Sequence, residues 1–294
     1  MSGRWTQRRE AVRKILKGNN CINPGSVYDP ISGRIAQELG YDVGIIGGST
    51  ISLAVLGAPD LIVLTLTEFA DQVKRISRAC DLPLLVDADH GYGNALNVMR
   101  TVDELEMAGV AALSIEDTIL PKQFDSREKA QLIDLEEGVG KMRAALAARK
   151  DTDLVICGRT SAPALSSVDD ACARIKAYET VGVDAIFLVG VKTRKQLDQL
   201  ADVVSIPLIL GSTPPEIADL SYLTSRNVRI SLQGHRPFAA SVLALYEALS
   251  ALKSGTAPTD LQNIAPGDMM DRLTRKSDYT TAIQKFLSRL DEPI

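Results

Sequence analysis

The stretch Leu82-Pro83-Leu84-Leu85-Val86-Asp87-Ala88-Asp89-His90-Gly91-Tyr92-Gly93-Asn94 passes from a short apolar run into a polar, glycine-rich turn. A helical pattern follows from Asn97 to Ala108, with Val98, Val102, Leu105 and Ala108 on one face and Gly109 closing it. A second apolar run, Ala111 to Ile115, then ends in Glu116-Asp117. Strand, helix and strand in this order form a parallel crossover unit, and the unbroken apolar runs predict strands buried on both faces.

The same rhythm extends in both directions. Further strands are predicted at Cys21–Asn23, Val43–Gly47, Leu154–Cys157, Ala185–Val189, Ile206–Leu210 and Val228–Leu232. Helical patterns lie between them: Pro30–Leu39, Thr67–Cys80, Glu137–Arg149, Ser167–Val181, Lys195–Val203, Pro215–Ser225 and Pro237–Leu252. Asp29-Pro30 is an N-cap followed by proline at the first helical position, and Thr67 is the cap expected for the second helix. Eight such steps close a barrel better than they fill an open sheet, and no GxGxxG or GxxxxGK[ST] turn marks a doubly wound fold. The expected fold is α/β, a (β/α)8 TIM-type barrel with extra C-terminal helices. Residues 1–255 are expected to form the barrel with an N-terminal helix. Residues 256–294, with an apolar stripe at Leu273, Tyr279, Ile283, Phe286 and Leu287, form a helical tail that packs on the barrel or on a neighbouring subunit.

Composition sets the outer limits. The 294 residues include 33 Lys and Arg against 37 Asp and Glu, a net charge of −4, so nucleic acid is not an expected partner. Hydrophobic residues at 45% and charged residues at 24% are ordinary globular values. No apolar run reaches the length of about 18 residues that spans a membrane. Cys21, Cys80, Cys157 and Cys172 lie far apart, without zinc-site spacing, and are expected to pack as small apolar groups. The basic N-terminus, with Arg4, Arg8, Arg9 and Arg13, reads as a transit peptide or, on the spacing of Val12, Ile15 and Leu16, as a surface helix. The helix is the preferred reading, and the cytoplasm the expected location.

A barrel carries its chemistry at the C-terminal ends of its strands. Those ends read Gly47-Gly48-Ser49-Thr50, Asp87-Ala88-Asp89-His90, Glu116-Asp117, Arg159-Thr160 and Gln233-Gly234-His235. Asp87, Asp89 and Glu116 would repel one another unless a cation neutralises them or one keeps its proton. Oxygen ligands without a Cys or His cluster favour a hard ion such as Mg2+, the alternative being a cap or a salt bridge to Arg159. Arg159 either clamps a substrate carboxylate or pairs Glu116. Of the two histidines, His90 is balanced between structure and chemistry, whereas His235 is expected to touch substrate. Gly47-Gly48-Ser49 offers backbone N–H groups and a hydroxyl to an anion, or simply makes a tight turn. The long charged connection from Ile119 to Glu136, with Lys122, Asp125, Arg127, Glu128 and Lys129, is either a lid or a solvated loop.

The stretch from Asp87 to Asn94 and Ser114-Ile115-Glu116-Asp117, with Pro121-Lys122 following, resembles the phosphoenolpyruvate mutase/isocitrate lyase superfamily over nearly the whole barrel. Gly47-Gly48-Ser49, Glu136-Glu137-Gly138-Val139-Gly140-Lys141 and Gly234-His235 are most similar to its Mg2+-dependent oxaloacetate decarboxylases. The resemblance implies a barrel that binds small 2-oxo acids through Mg2+, with Mn2+ as the alternative ion. It makes Asp87 the direct metal ligand, with Asp89 and Glu116 holding the metal's waters. Gly48, Ser49, Arg159 and His235 would contact substrate, Arg159 and His235 taking the catalytic roles. It also implies a homotetramer with terminal helices swapped between subunits.

Two departures bear on the activity. The lyases of the superfamily carry a lid cysteine in a Lys-Lys-Cys-Gly-His motif, and the segment from Ile119 to Glu136 has no cysteine. The mutases carry an Asn-Ser pair where this chain has Gln123-Phe124-Asp125, and Ser161 stands where relatives have Asn or Asp. The resulting expectation is decarboxylation of oxaloacetate, or a close 2-oxo acid, to pyruvate and CO2 through a metal-stabilised enolate. The rivals are a lyase for a bulkier 2-hydroxy acid of the methylisocitrate or dimethylmalate type, a Schiff-base aldolase using Lys192, and a barrel that binds a keto acid without turnover.

Overall fold

The structure, a computed structural model, describes residues 4–124 and 130–288. The expected lid positions Asp125, Arg127, Glu128 and Lys129 lie outside the described residues. Eight strands run parallel in chain order: β1 Gly25–Ser26, β2 Gly44–Ile46, β3 Leu84–Asp87, β4 Ala112–Glu116, β5 Val155–Thr160, β6 Ala185–Leu188, β7 Leu208–Leu210 and β8 Val228–Ser231. Ile22 forms a parallel bridge to Ile230, donating its N–H to the Arg229 carbonyl and accepting from Ser231 N–H, so the first and eighth strands meet. This is the α/β TIM-type barrel that the alternation of strands and helices predicted.

Residues on each strand alternate between two cores. Ile46, Leu84, Val86, Leu113, Ile156, Ile186 and Leu188 face the helices. Ile45, Leu85, Ala112, Val155, Cys157, Ala185 and Phe187 fill the barrel interior. Because the strand period is two, Asp87, Glu116 and Arg159 continue the interior rows of Leu85, Ala112 and Val155. Register aligns them, with Asp87 opposite Ser114 and Glu116 opposite Arg159. The last interior position of three neighbouring strands is therefore charged.

Local signals place the helices. Asn94 caps the helix Ala95–Ala108 through a capping box with Asn97, and Gly109 ends it in a left-handed turn. Asp29 caps Pro30–Glu38 through a capping box with Ser32. The cap of the next barrel helix is Thr65, not Thr67, because the Thr65 hydroxyl and the Glu68 carboxylate satisfy each other's backbone N–H groups. The first strand also differs from expectation. Pairing with β2 falls at Gly25–Ser26, whereas Cys21–Asn23 supplies only the Ile22 bridge.

The N-terminal helix Arg4–Lys17 is a plug rather than a surface element. Val12 and Leu16 join the interior core at 0% and 5% exposure. Its arginines hold backbone carbonyls: Arg8 to Ser77 at 2.8 Å, Arg9 to Val110 at 3.1 Å and Arg13 to Asp153 at 2.9 Å. Arg13 also pairs Asp184 at 3.0 Å. Leu16→Ala is expected to cost about 3 kcal/mol of folding stability, read as a lowered urea midpoint, as for other buried leucines. An unchanged midpoint would show that the plug does not hold the barrel.

The chain divides into two units, one through Arg236 and one from Pro237. The sequence reading put the division at residue 255. The helix Arg236–Lys253 buries none of its residues, and Leu243, Leu245, Tyr246 and Leu249 on it are exposed. The helices Gly267–Leu273 and Lys276–Leu287 complete the second unit, in which Leu273 is buried and Ile283 and Phe286 are exposed. Among the described residues no helix is long and apolar enough to cross a membrane. Cys21, Cys80 and Cys157 are buried and lie outside any disulfide, as expected for packing residues.

Candidate active site

The strands' C-terminal ends surround a cavity of about 640 Å³ lined by Ser49, Asp60, Asp87, Asp89, Glu116, Arg159, Ser161 and His235. Its apolar wall includes Leu165, Phe187 and Val189. Arg159 lies at the centre of the charge. Its guanidinium contacts Asp87 and reaches Glu116 at 3.3 Å, with its side chain 16% exposed. It also sits 5.4 Å from the centre of the Phe187 ring. The pairing with Glu116, the alternative to a substrate clamp, is present and extends to Asp87.

Burial pushes the Asp89 carboxyl well above the usual range, and the charges of Asp87 and Glu116 push in the same direction against Arg159. Glu116 is raised by burial while the Arg159 charge opposes the shift. Burial works against the Arg159 charge, but Asp87 and Glu116 outweigh it and keep the guanidinium protonated. The His235 imidazole is lowered by burial, partly offset by Asp87 and Asp60, which favours its neutral form.

The turn after β3 has an unusual backbone. Asp89 and Tyr92 adopt left-handed φ values of 47° and 59°, a conformation that costs non-glycine residues about 1 kcal/mol or more. Tertiary bonds hold it. The Asp89 carbonyl accepts from Glu116 N–H at 2.9 Å, and the His90 carbonyl accepts from the buried Lys141 ammonium at 2.9 Å. His90 itself is 4% exposed and does not line the cavity, so its place is structural.

Gly47-Gly48-Ser49 is not a loop but the start of a helix, Gly48–Leu56, with Gly47 at the cap. Its glycines are explained by crowding. A Cβ at Gly47 would lie 2.5 Å from His235 Nε2, and one at Gly48 would lie 2.6 Å from an Asp89 carboxylate oxygen. Ser49 lines the cavity from the first turn of the same helix.

Asp117 goes the other way. One position beyond Glu116, it faces the helices, fully buried, accepting from Tyr178 hydroxyl at 2.7 Å and from Arg174 at 3.1 Å. Tyr178→Phe is expected to cost about 1–3 kcal/mol, because it strips a bond from a buried carboxylate. KM for substrate should not change, since Asp117 does not face the cavity; a large KM change would refute that division. Lys192 is exposed and absent from the cavity lining, which removes the support for a Schiff-base aldolase.

Asp60 and Ser26 were not anticipated. Asp60, in the loop after Gly48–Leu56, lines the cavity, its carboxyl raised by burial and by Asp87. Ser26, at the end of β1, places its hydroxyl 2.7 Å from His235 Nδ1. The signal for Ser26 was parity on a correctly placed first strand; for Asp60 there was none.

The residues suit a hard cation. Among the described residues no three His, Cys, Asp or Glu side chains form a ready-made cage. An ion of the Mg2+ type does not require one, because it binds through one or two carboxylates and keeps several waters. Asp87, Asp89 and Glu116 could supply oxygen ligands, and a dication would offset the burial and the like charges that raise Asp89 and Glu116.

The loop from residue 119 is anchored at its base. Thr118 bridges Leu132, Ile119 N–H donates to the Gln131 carbonyl at 2.8 Å, and Ile133 N–H to the Asp117 carbonyl at 2.9 Å. Lys122 and Gln123 line the cavity from this loop.

Relatives agree with this architecture. A protein named oxaloacetate decarboxylase from Bradyrhizobium sp. (strain ORS 278) is 54% identical over 280 residues, covering 95% of this chain and 97% of the relative. One of the same name from Rhodopseudomonas palustris (strain BisA53) is 56% identical over 283 residues, covering 96% and 98%. Among solved structures, a 2,3-dimethylmalate lyase superposes with a TM-score of 0.83 at 27% identity, covering 97% of this chain and 99% of the other. A phosphonopyruvate hydrolase in complex with oxalate and Mg2+ gives 0.81 at 25% identity, covering 96% and 99%. The model of the family described as phosphoenolpyruvate phosphomutase matches residues 13–253. That match takes in every strand from β1 to β8, and the chain belongs to the phosphoenolpyruvate phosphomutase family.

Proposed function

We propose that this chain decarboxylates oxaloacetate to pyruvate and CO2, with Mg2+, or Mn2+ in its place, held at Asp87, Asp89 and Glu116. The observation that carries the reading is the cavity's charge pattern: carboxylates on the interior rows of β3 and β4, Arg159 on β5 contacting both, and His235 on the same lining. Such a mouth suits a small dianion with a keto group, and the named relatives support oxaloacetate as that dianion.

In this reading Asp87 would hold the metal directly, and Asp89 and Glu116 would support it through its waters. Bound there, Mg2+ supplies Lewis-acid stabilisation of the negative charge that develops on the keto oxygen. Gly48 and Ser49 present N–H groups and a hydroxyl at the helix start, where an anion is favoured. Arg159 and His235 bind and orient the acid so that the breaking C–C bond aligns with the carbonyl π system. Loss of CO2 leaves its bonding electron pair in the enolate of pyruvate, and a proton from water completes the product. Asp60 adds a fourth acid to the cavity lining.

The segment from Ile119 to Glu136 has no cysteine, which favours decarboxylation over cleavage of a bulkier 2-hydroxy acid. The test is product analysis by 13C NMR with oxaloacetate, 2,3-dimethylmalate and 2-methylisocitrate as separate substrates. Pyruvate with bicarbonate from oxaloacetate alone supports the proposal. Turnover of either 2-hydroxy acid in preference would replace it, and binding without turnover of any would leave a non-catalytic barrel.

The exposed Leu245, Tyr246, Leu249, Ile283 and Phe286 support a homotetramer in which tail helices are exchanged between subunits. Light scattering of the purified protein tests this, a monomer mass contradicting it. A cytoplasmic location is part of the same proposal, supported by buried cysteines that form no disulfide. So is the absence of nucleic-acid partners, supported by the net charge of −4.

A further inference from the structure

His235 is clasped from two sides. Ser26 Oγ lies 2.7 Å from Nδ1. On the other edge of the ring, Nε2 lies against Gly47, where a Cβ would stand 2.5 Å away. Strand parity turns Ser26 toward the barrel interior, opposite the interior residue Ile45. Its neighbour Gly25 faces the helices, since a Cβ there would meet the Tyr41 ring at 3.1 Å and Ala36 at 3.2 Å.

The Ser26–His235 bond can be made in two ways, and the surroundings choose between them. Among the described residues the Ser26 hydroxyl has no other partner, so its hydrogen is available to Nδ1. Asp87 and Asp60, both lining the cavity, are the acids whose charges act on the imidazole. With Nδ1 taken by Ser26, Nε2 is the nitrogen left for an incoming carboxylate; a lone pair there would repel it, and an N–H would attract it. The hydroxyl therefore donates to Nδ1, and the ring proton sits on Nε2.

We infer that Ser26 is a positioning residue that fixes neutral His235 as the Nε2–H tautomer, making it a ready hydrogen-bond donor to the carboxylate of a small 2-oxo acid. The inference rests on the proposed function for its substrate, though not for the tautomer itself. Preset orientation and tautomer spare the enzyme from selecting the right imidazole state at each encounter.

The chain has two histidines, so the tautomer is directly readable. Two-bond 1H–15N spectra of [15N]histidine-labelled protein at pH 8 separate protonated from unprotonated ring nitrogens, and His235→Asn identifies the His235 signals by their disappearance. The expected wild-type pattern is a protonated Nε2 with a bare Nδ1. In Ser26→Ala the two tautomers should mix, and KM for oxaloacetate should rise about tenfold with kcat within about twofold. Ser26→Thr, which keeps the hydroxyl, should restore both. A protonated Nδ1 in the wild type, or a Ser26→Ala spectrum and KM identical to wild type, would overturn the inference. Failure of the protein to turn over oxaloacetate would instead count against the decarboxylase reading, while the spectra would still decide the role of Ser26.

Discussion

Asp87→Ala is expected to reduce kcat/KM for oxaloacetate by about a thousandfold or more, the loss expected when about 4 kcal/mol of transition-state charge stabilisation disappears. Asp87 ends the interior row of β3, contacts the Arg159 guanidinium and lies 3.4 Å from the Ser114 hydroxyl. Its removal takes away the proposed direct ligand and leaves Arg159 with Glu116 as its remaining ion-pair partner, at 3.3 Å. The two effects have different signatures. Loss of the ligand weakens Mg2+ binding, measurable by calorimetry, whereas loss of the ion pair lowers Tm. Asp87→Asn keeps the shape of the side chain and should still lose metal affinity. Wild-type activity and metal affinity in either variant would remove Asp87 from the metal site.

Arg159→Lys should lower kcat/KM by about a hundredfold, or about 3 kcal/mol, mainly through KM. The reason is geometric. The guanidinium spans Asp87 on one branch and Glu116 on the other while its plane lies beside Phe187. A lysine ammonium is a point charge that cannot bridge both carboxylates and also present a planar pair of donors to an acid. The charge is conserved, so a purely electrostatic role predicts little change. Equal KM and kcat in Arg159→Lys would therefore show that the fork is not used.

The legible parts of this protein were those written as periodicity. Alternation of apolar runs with amphipathic segments gave the barrel, and period-two parity carried Asp87, Glu116 and Arg159 to one mouth because each is the last interior residue of its strand. Parity also separates Glu116 from Asp117, although their adjacency in sequence suggests a pair. Ser26 was hidden because Cys21–Asn23 is the more apolar segment, whereas the register with β2 is set at Gly25 and Ser26. Asp60 was hidden behind the helix Gly48–Leu56, whose Gly47-Gly48-Ser49 start reads locally as a turn. Those glycines answer to His235 and Asp89, residues distant in the chain, and no local rule contains that demand. The helix Arg236–Lys253 was legible as a helix; what covers its apolar residues is not a property that the periodicity of one chain can express.

The most direct test of the mouth as an oxaloacetate decarboxylase is the initial rate of pyruvate formation from oxaloacetate, measured with Mg2+, with EDTA and with Mg2+ but no protein. The account predicts saturable formation far above the Mg2+-only background, abolished by EDTA and restored by adding Mg2+ back. A rate no greater than that of free Mg2+, or one indifferent to EDTA, would contradict it.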